Sequence, residues 1–270
     1  MQHPGYNFSD PDEVYVLPAS LKEISGITVR DDNTIACIHD EYETIYIYDI
    51  KKNRIIRELT VGGIGDFEGL ARVNSTLFIL RSDGLLSEIM NYESADFTKA
   101  VYDTGVPWKD NEGLCYDRYE NRLLIGPKSI PGKKSPERGF RFIYGFNLDS
   151  KKLDKNPAFV FDMSVIEKFA DKNNIEKPLK HNKPNIKFRI SALGIHPLTD
   201  LLYIVSARDS LLFIFDRNGN IKHIVKLDRK FFWQPEGITF MKNGDMLISN
   251  EGKKKKKKPP TLVRFNHTKF

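Results

Sequence analysis

Short runs of alternating apolar and polar residues, separated by polar turns, follow one another along most of this chain. The clearest example lies in residues 233–252, where two alternating runs flank Asn243 and Gly244. An Asn-Gly pair between two such runs is the strongest short-range indication of a β-hairpin. The pattern therefore predicts an all-β protein.

The start of this stretch is one of five related copies in the chain. Each copy has an anchor residue, then a small residue, then a branched apolar residue; the copies are Ser25-Gly26-Ile27, Glu68-Gly69-Leu70, Glu112-Gly113-Leu114, Ser191-Ala192-Leu193 and Glu236-Gly237-Ile238. Successive anchors are 43, 44, 79 and 45 residues apart. The interval of 79 is one period plus an insertion of about 35 residues. A period in the forties with several short strands per unit is typical of β-propeller blades.

The strand count predicts a single propeller of five four-stranded blades. The last unit lacks an outer strand, and residues 14–17 form a strand that has no neighbour in its own unit. We therefore expect this N-terminal strand to pair with residues 261–265 and to close the ring. Residues 1–12 are polar and are expected to form a flexible arm before the propeller domain of residues 13–270.

Residues 163–188 interrupt the repeat. Ser164 is expected to cap a short helix, and the lysine-, asparagine- and proline-rich sequence after it is expected to be irregular. The segment lacks the β-branched alternation that a further blade would need, so we interpret it as a helical and irregular insertion.

Composition narrows the possible functions. The net charge is +6, and residues 253–258 are six consecutive lysines, so the rest of the chain is neutral. This distribution does not favour a nucleic-acid-binding protein, and the lysine run is interpreted as an exposed loop, with a contact to phosphate or acidic lipid as the alternative. No apolar run is long enough to cross a membrane. Cys37 and Cys115 lie in apolar strands of different units and are expected to be free thiols.

The five anchors are expected to meet around the propeller axis, because the inner strand of each blade lines the channel. This arrangement brings Glu68, Glu112 and Glu236 together with Ser25 and Ser191. A second ring is expected at the ends of the second strands, and its candidates for ligand contacts are Asp40, Glu41, Arg81, Lys128, Asn250 and Glu251.

Three glutamates in one channel need compensating positive charge, because like charges raise one another's pKa. A divalent cation would supply it, and so would the side chains of Arg81 and Lys128. Oxygen ligands suit Ca²⁺ better than Zn²⁺, and the histidines are scattered. A hydrated ring that only joins the blades, an ion or small-ligand site and a catalytic site all remain open at this point.

Several motifs resemble the SdiA-regulated protein family, which is similar to the phytase-like β-propellers. They are L-K-E-I-S-G-I at 21–27, H-D-E at 39–41, G-D-F-E-G-L at 65–70, L-R-S-D-G at 80–84, N-E-G-L-C-Y-D at 111–117, and Q-P-E-G-I-T-F with I-S-N-E-G at 234–252. The resemblance implies a propeller, and six blades are the alternative count because propellers of the wider superfamily have six. It also implies an exported protein, periplasmic or anchored at the cell envelope as a lipoprotein, without an established enzymatic activity.

The resemblance further implies that Glu68, Glu112 and Glu236, with Glu41 and Glu251, hold calcium. We therefore expect a monomeric, non-enzymatic envelope propeller whose carboxylate-lined channel binds a divalent cation, and with it a small ligand or a protein partner. The alternative is a metal-dependent hydrolase of phosphate esters or lactones.

Overall fold

The computed structural model describes residues 4–129, 131–132, 134–180, 183–253 and 257–268. It consists mainly of antiparallel sheets arranged around one axis, with a single α-helix among the described residues. The prediction of a five-bladed propeller is confirmed.

Each blade is an antiparallel sheet whose strands follow one another outward from the axis. The N-terminal strand is β1 (Glu13–Val16). The first blade contains β2 (Ile24–Val29), β3 (Thr34–His39), β4 (Tyr42–Asp49) and β5 (Arg54–Ile64). The second contains β6 (Phe67–Val73), β7 (Thr76–Arg81), β8 (Leu85–Met90) and β9 (Thr98–Asp103).

The third blade carries one extra short strand. It contains β10 (Asn111–Asp117), β11 (Arg122–Pro127), β12 (Phe140–Asn147), β13 (Lys152–Leu153) and β14 (Phe159–Asp162), and both β13 and β14 pair with β12. The fourth contains β17 (Ala192–Ile195), β18 (Leu202–Ser206), β19 (Leu211–Phe215) and β20 (Ile221–Lys226). The fifth contains β21 (Pro235–Phe240), β22 (Met246–Asn250) and β23 (Thr261–Phe265), and β1 is its outer strand.

The two ends of the chain close the ring together. Strand β1 pairs antiparallel with β23, with Glu13 opposite Arg264 and Val16 opposite Thr261. The predicted closure is confirmed, although the strand begins and ends one residue earlier than expected. The preceding arm contains no helix or strand in its described part, yet Tyr6 is 1% exposed and donates a hydrogen bond to the Gly244 carbonyl oxygen at 2.5 Å. The expected flexible arm is therefore tied to the fifth blade at this residue.

The small residue of each repeat is explained by close packing between neighbouring inner strands. A β-carbon on Gly26 would lie 2.5 Å from the Leu70 amide nitrogen, and one on Gly69 would lie 2.5 Å from the β-carbon of Leu114. The same crowding occurs between Gly113 and Leu193, at 2.6 Å. Distances this short exclude a larger residue, so the glycines allow five inner strands to pack tightly around the axis.

The insertion contributes to the core. Its helix α1 (Met163–Lys172) is followed by the short hairpin of β15 (Leu179–Lys180) and β16 (Lys183–Pro184). The expected cap at Ser164 is wrong: the N-cap is Asp162, whose side chain accepts a hydrogen bond from the Ser164 amide at 2.8 Å. Ile166 is buried in the hydrophobic cluster that also contains strands of the third and fourth blades. Among the described residues this two-stranded hairpin is the only sheet outside the five blades, so no sixth blade forms.

The remaining structural expectations concern the thiols and the lysine run. Cys37 and Cys115 are both free and buried, as predicted. Lys254, Lys255 and Lys256 lie outside the described residues, whereas Lys253 and Lys258 pair with each other through backbone hydrogen bonds. None of the helices in the described part of the chain has the length and apolar composition that a membrane span requires.

Candidate functional site

The three channel glutamates occupy equivalent positions in three blades. Glu68, Glu112 and Glu236 each lie at a β-bulge, where the register of the inner strand against the second strand shifts by one residue. A bulge leaves one residue outside the ladder and redirects its side chain. Ser25 lies at the corresponding bulge of the first blade, so four blades place their anchor side chain by the same device. In the fourth blade Ser191 precedes β17, whose register with β18 is regular.

The apolar residue of each motif fills the axis next to the anchors. These five residues are all at most 5% exposed: Ile27, Leu70, Leu114, Leu193 and Ile238. The space that they share with the three glutamates has a volume of only about 10 Å³. This is about the minimum that a single water molecule needs. The polar site is therefore at one mouth of the propeller, and the axis beyond it is nearly closed.

A lysine lies among the glutamates. The Lys128 ammonium, at the end of β11, forms an ion pair with Glu112, and its charge also acts on Glu68 and Glu236. The backbone holds Lys128 in position, because its amide donates a 2.7 Å hydrogen bond to the Asp110 carbonyl oxygen. One ammonium thus faces three carboxyl groups.

This single positive charge does not offset the burial of the carboxyl groups. Burial is the main cause that raises the pKa of Glu68 to about 8, of Glu112 to about 9 and of Glu236 to about 7. The neighbouring carboxylates add to the increase for Glu68 and Glu112, while Lys128 opposes it in all three cases. At neutral pH the cluster therefore holds protons that ordinary glutamates would have released.

A second pair of carboxyl groups lies beside this cluster. Burial, followed by a hydrogen bond with Glu23, raises the pKa of Glu251 to about 8. The same hydrogen bond lowers the pKa of Glu23, so these two groups share one proton. The Gln234 side-chain amide also donates to Glu251. Glu251 thus belongs to the mouth of the channel, as expected.

Other predicted ligand-contact residues make local structural contacts. The Ser25 hydroxyl donates to the Phe67 carbonyl oxygen at 2.6 Å, which joins the first two blades. The Ser191 hydroxyl oxygen accepts a 3.2 Å hydrogen bond from the Ala207 amide and also bonds to the carboxyl group of Glu236. The Asn250 side chain donates to the Phe231 carbonyl oxygen at 3.0 Å.

The predicted second ring does not form as one cluster. Arg81 forms two hydrogen bonds with Asp83, at 2.9 and 2.7 Å, so its guanidinium is engaged outside the glutamate cluster. Asp40 lies 3.1 Å from the Nδ1 atom of His39. The side chain of Glu41 is exposed and forms no hydrogen bond or ion pair with any described residue.

Glu23, Asp66 and Gln234 are further polar residues of the site, and the sequence analysis predicted none of them as a ligand contact. Each lies two positions before an anchor residue, and Asp66 forms a hydrogen bond with Glu68. All three lie just before an inner strand, so their shared position in the aligned repeats is the signal that could have identified them.

The oxygen atoms of the site are suited in kind to calcium. The buried Oε2 atom of Glu112 has no hydrogen-bond partner among the described residues, which is an uncompensated acceptor. However, the described residues contain no group of three or more His, Cys, Asp or Glu side chains arranged to hold a metal ion, and the Lys128 ammonium pairs with Glu112. Cation binding would therefore require these side chains to rearrange.

Comparisons with known proteins agree with this fold. The model of the family described as SdiA-regulated matches residues 12–254. No protein among the curated proteins compared with the chain matches its sequence.

Solved propeller structures are similar over nearly the whole chain. The glutaminyl cyclase of Myxococcus xanthus is 13% identical with a TM-score of 0.61, covering 96% of this chain and 97% of that one. A luciferin-regenerating enzyme is 9% identical with a TM-score of 0.53, covering 95% of both chains. A streptogramin B lyase is 11% identical with a TM-score of 0.51, covering 94% of this chain and 97% of that one. At these identities the similarity extends to the fold alone.

Proposed function

The chain belongs to the SdiA-regulated family, and from this premise we propose that it is a non-enzymatic binding protein of the cell envelope. Its ligand site is the polar mouth of the propeller, and the ligand there is a divalent cation, most readily calcium. The observation that carries the proposal is the convergence of Glu68, Glu112 and Glu236 on one ammonium group.

Charge balance supports a cation at this position. Glu112 is buried and Glu68 and Glu236 are half-buried, and the raised pKa values of the three glutamates indicate that the cluster keeps protons at neutral pH. A divalent cation offers two positive charges and accepts several oxygen ligands at once. It would replace two retained protons, and the ion together with one nearby ammonium would then balance three carboxylates.

Calcium binding should therefore release protons and strengthen as the pH rises. The affinity is expected to increase between about pH 6 and 9, because ligands must lose their protons before they bind the ion. Titration calorimetry in two buffers of different ionisation enthalpy would measure the protons released.

Two substitutions with matched controls would test the site. Glu112→Gln should abolish binding, and Lys128→Met should strengthen it, because the competing ammonium is removed. The exposed residues Glu120 and Lys109 supply the controls Glu120→Gln and Lys109→Met, which should bind like the native chain. Absence of calcium binding by both the native chain and Lys128→Met would refute the proposal.

The resemblance to the family is the support for the remaining parts of the proposal. We expect the protein to act as a monomer, which light scattering of the purified chain would check. Cell fractionation would test the envelope location. No observation on the described residues specifically favours the hydrolase alternative.

A further inference from the structure

A second cavity opens at the same mouth of the propeller, between loops of the third, fourth and fifth blades. Its volume is about 460 Å³, which lies in the range of sites for small organic molecules. Lys128 and Glu236 line its inner end, so it adjoins the carboxyl cluster. Its outer wall is formed by eight other residues, and four of them are basic.

Four cationic side chains line this wall: Arg208, Arg229, Lys253 and Lys258. In the described part of the chain, no carboxylate forms an ion pair with any of these four residues. Glu236, at the inner end, is the only acidic residue of the lining. The cavity therefore concentrates positive charge in a chain that is otherwise nearly neutral outside its lysine run.

The fold holds three of these groups in place by contacts with neutral partners, and of the three Lys253 also acts on the carboxyl group of Glu236 through its charge. Arg229 donates from Nε to the Ser210 hydroxyl at 2.9 Å, and Lys253 donates from Nζ to the Trp233 carbonyl oxygen at 3.0 Å. The Lys258 ammonium lies over the Trp233 ring, 4.9 Å from its centre. All three contacts use neutral partners.

Arg208 is carried by a well-anchored turn between β18 and β19. The neighbouring Asp209 carboxylate is buried and accepts hydrogen bonds from the Phe188 amide at 2.7 Å and the Ser206 hydroxyl at 2.9 Å. The turn also carries Ser210, the partner of Arg229. The backbone of Arg208 and the guanidinium of Arg229 are thus both connected to this turn, although both side chains are exposed.

We propose that this cavity binds a small organic phosphate. Arginine forks bind phosphate oxygens in pairs, lysines add point charges, and a phosphate dianion has enough acceptor oxygens for several such donors. A ligand with a single carboxylate would leave most of the positive charge of the cavity uncompensated. The Trp233 face is covered by Lys258, so the site recognises the phosphate rather than an aromatic ring.

This inference goes beyond the proposed cation site and does not depend on it. The test is therefore made in the presence of a chelator, with inorganic phosphate and glycerol 3-phosphate as probes at constant ionic strength. Titration calorimetry should detect saturable binding to the native chain. Arg208→Gln and Arg229→Gln should each weaken it at least tenfold, or about 1.4 kcal/mol.

Arg54 provides the matched control, because it is exposed on β5 and forms no ion pair with any described residue. Arg54→Gln should bind the probes like the native chain, and circular dichroism would verify that all three variants are folded. Equal affinity in all variants, or no saturable binding to the native chain, would overturn the proposal.

A lipid headgroup presents the same chemistry as a free phosphate, so vesicles provide a separate arm of the experiment. Phosphatidylcholine vesicles with and without phosphatidylglycerol would be sedimented with the protein. Binding to the anionic vesicles without binding to the soluble phosphates would also overturn the proposal.

Discussion

Glu112 offers the most direct test of the reasoning about the channel. It is 3% exposed, and burial together with the charges of Glu68 and Glu236 raises its pKa from 4.5 to about 9. Glutamine has the same shape and cannot ionise. The substitution Glu112→Gln therefore removes the titration of this group while preserving its volume.

The sign of the effect follows from proton binding. The folded chain holds the Glu112 proton more tightly than the unfolded chain, so this group stabilises the fold at low pH. That contribution is lost as the pH rises from the ordinary glutamate pKa through about 9. Each pKa unit corresponds to 1.36 kcal/mol, so the whole shift is worth about 6 kcal/mol in the free energy of unfolding.

The quantity to measure is the difference in unfolding free energy between the variant and the native chain, at about pH 5 and about pH 9.5 in a chelating buffer. Subtracting the two differences cancels any effect of the substitution that is independent of pH. Between the two pH values, the unfolding free energy of the native chain should fall by about 2 to 6 kcal/mol more than that of the variant. The lower value applies if water reaches the ionised carboxylate.

Urea unfolding followed by tryptophan fluorescence is a suitable assay, and exposed Glu120→Gln is the control. The reasoning is refuted if the native chain and Glu112→Gln lose stability in parallel over this range, within about 0.5 kcal/mol.

Two further predictions concern stability. Deleting residues 1–18 removes the strand that closes the ring and should lower the free energy of unfolding by about 5 kcal/mol or more, and an unchanged melting temperature would contradict the closure. Asp117 is fully buried and pairs with Arg122 at 3.2 Å and Arg217 at 2.7 Å, so Asp117→Asn should cost about 3–5 kcal/mol in chemical unfolding. A loss no larger than that of the exposed control Asp96→Asn would contradict this.

The fold could be predicted because each repeat carries its structural requirements in three adjacent residues. In Glu68-Gly69-Leu70 the first residue lies at the bulge, the second allows the next inner strand to approach, and the third fills the axis. These requirements are local and recur in four blades, while the fourth keeps the small residue and the apolar residue without the bulge. A repeat search therefore identified both the architecture and the glutamate ring.

The partners of the glutamates could not be predicted in the same way. Arg81 and Lys128 both lie near the end of a second strand, but they are offset by one residue, because Arg81 pairs with Phe67 as Pro127 pairs with Asn111. In addition, Asp83 lies two residues after Arg81 and binds its guanidinium. Whether Arg81 binds Asp83 or a channel glutamate depends on side-chain geometry, although the nearby Asp83 was visible in the sequence.

The basic cavity was missed because its residues do not belong to the repeated motif. Arg208 and Arg229 lie in loops of the fourth blade and after it. Lys253 and Lys258 are the two ends of a run for which composition favoured a solvated loop and left a phosphate contact as the alternative. Inner strands repeat because every blade must pack in the same way, whereas loops at the rim are free of that requirement. Recognition chemistry can therefore differ from blade to blade while the fold stays constant.

The two candidate sites also share a side chain whose position matters to both. Lys128 pairs with Glu112 at the axis and lines the inner end of the basic cavity. If a divalent cation replaces its ammonium among the glutamates, the released charge moves toward the cavity and favours an anion there. A favourable coupling of this kind is reciprocal, so an anion bound in the cavity would equally favour the cation. The chemistry of Lys128 thus gives a physical reason for placing an acidic cluster and a basic cavity side by side at one mouth of the propeller.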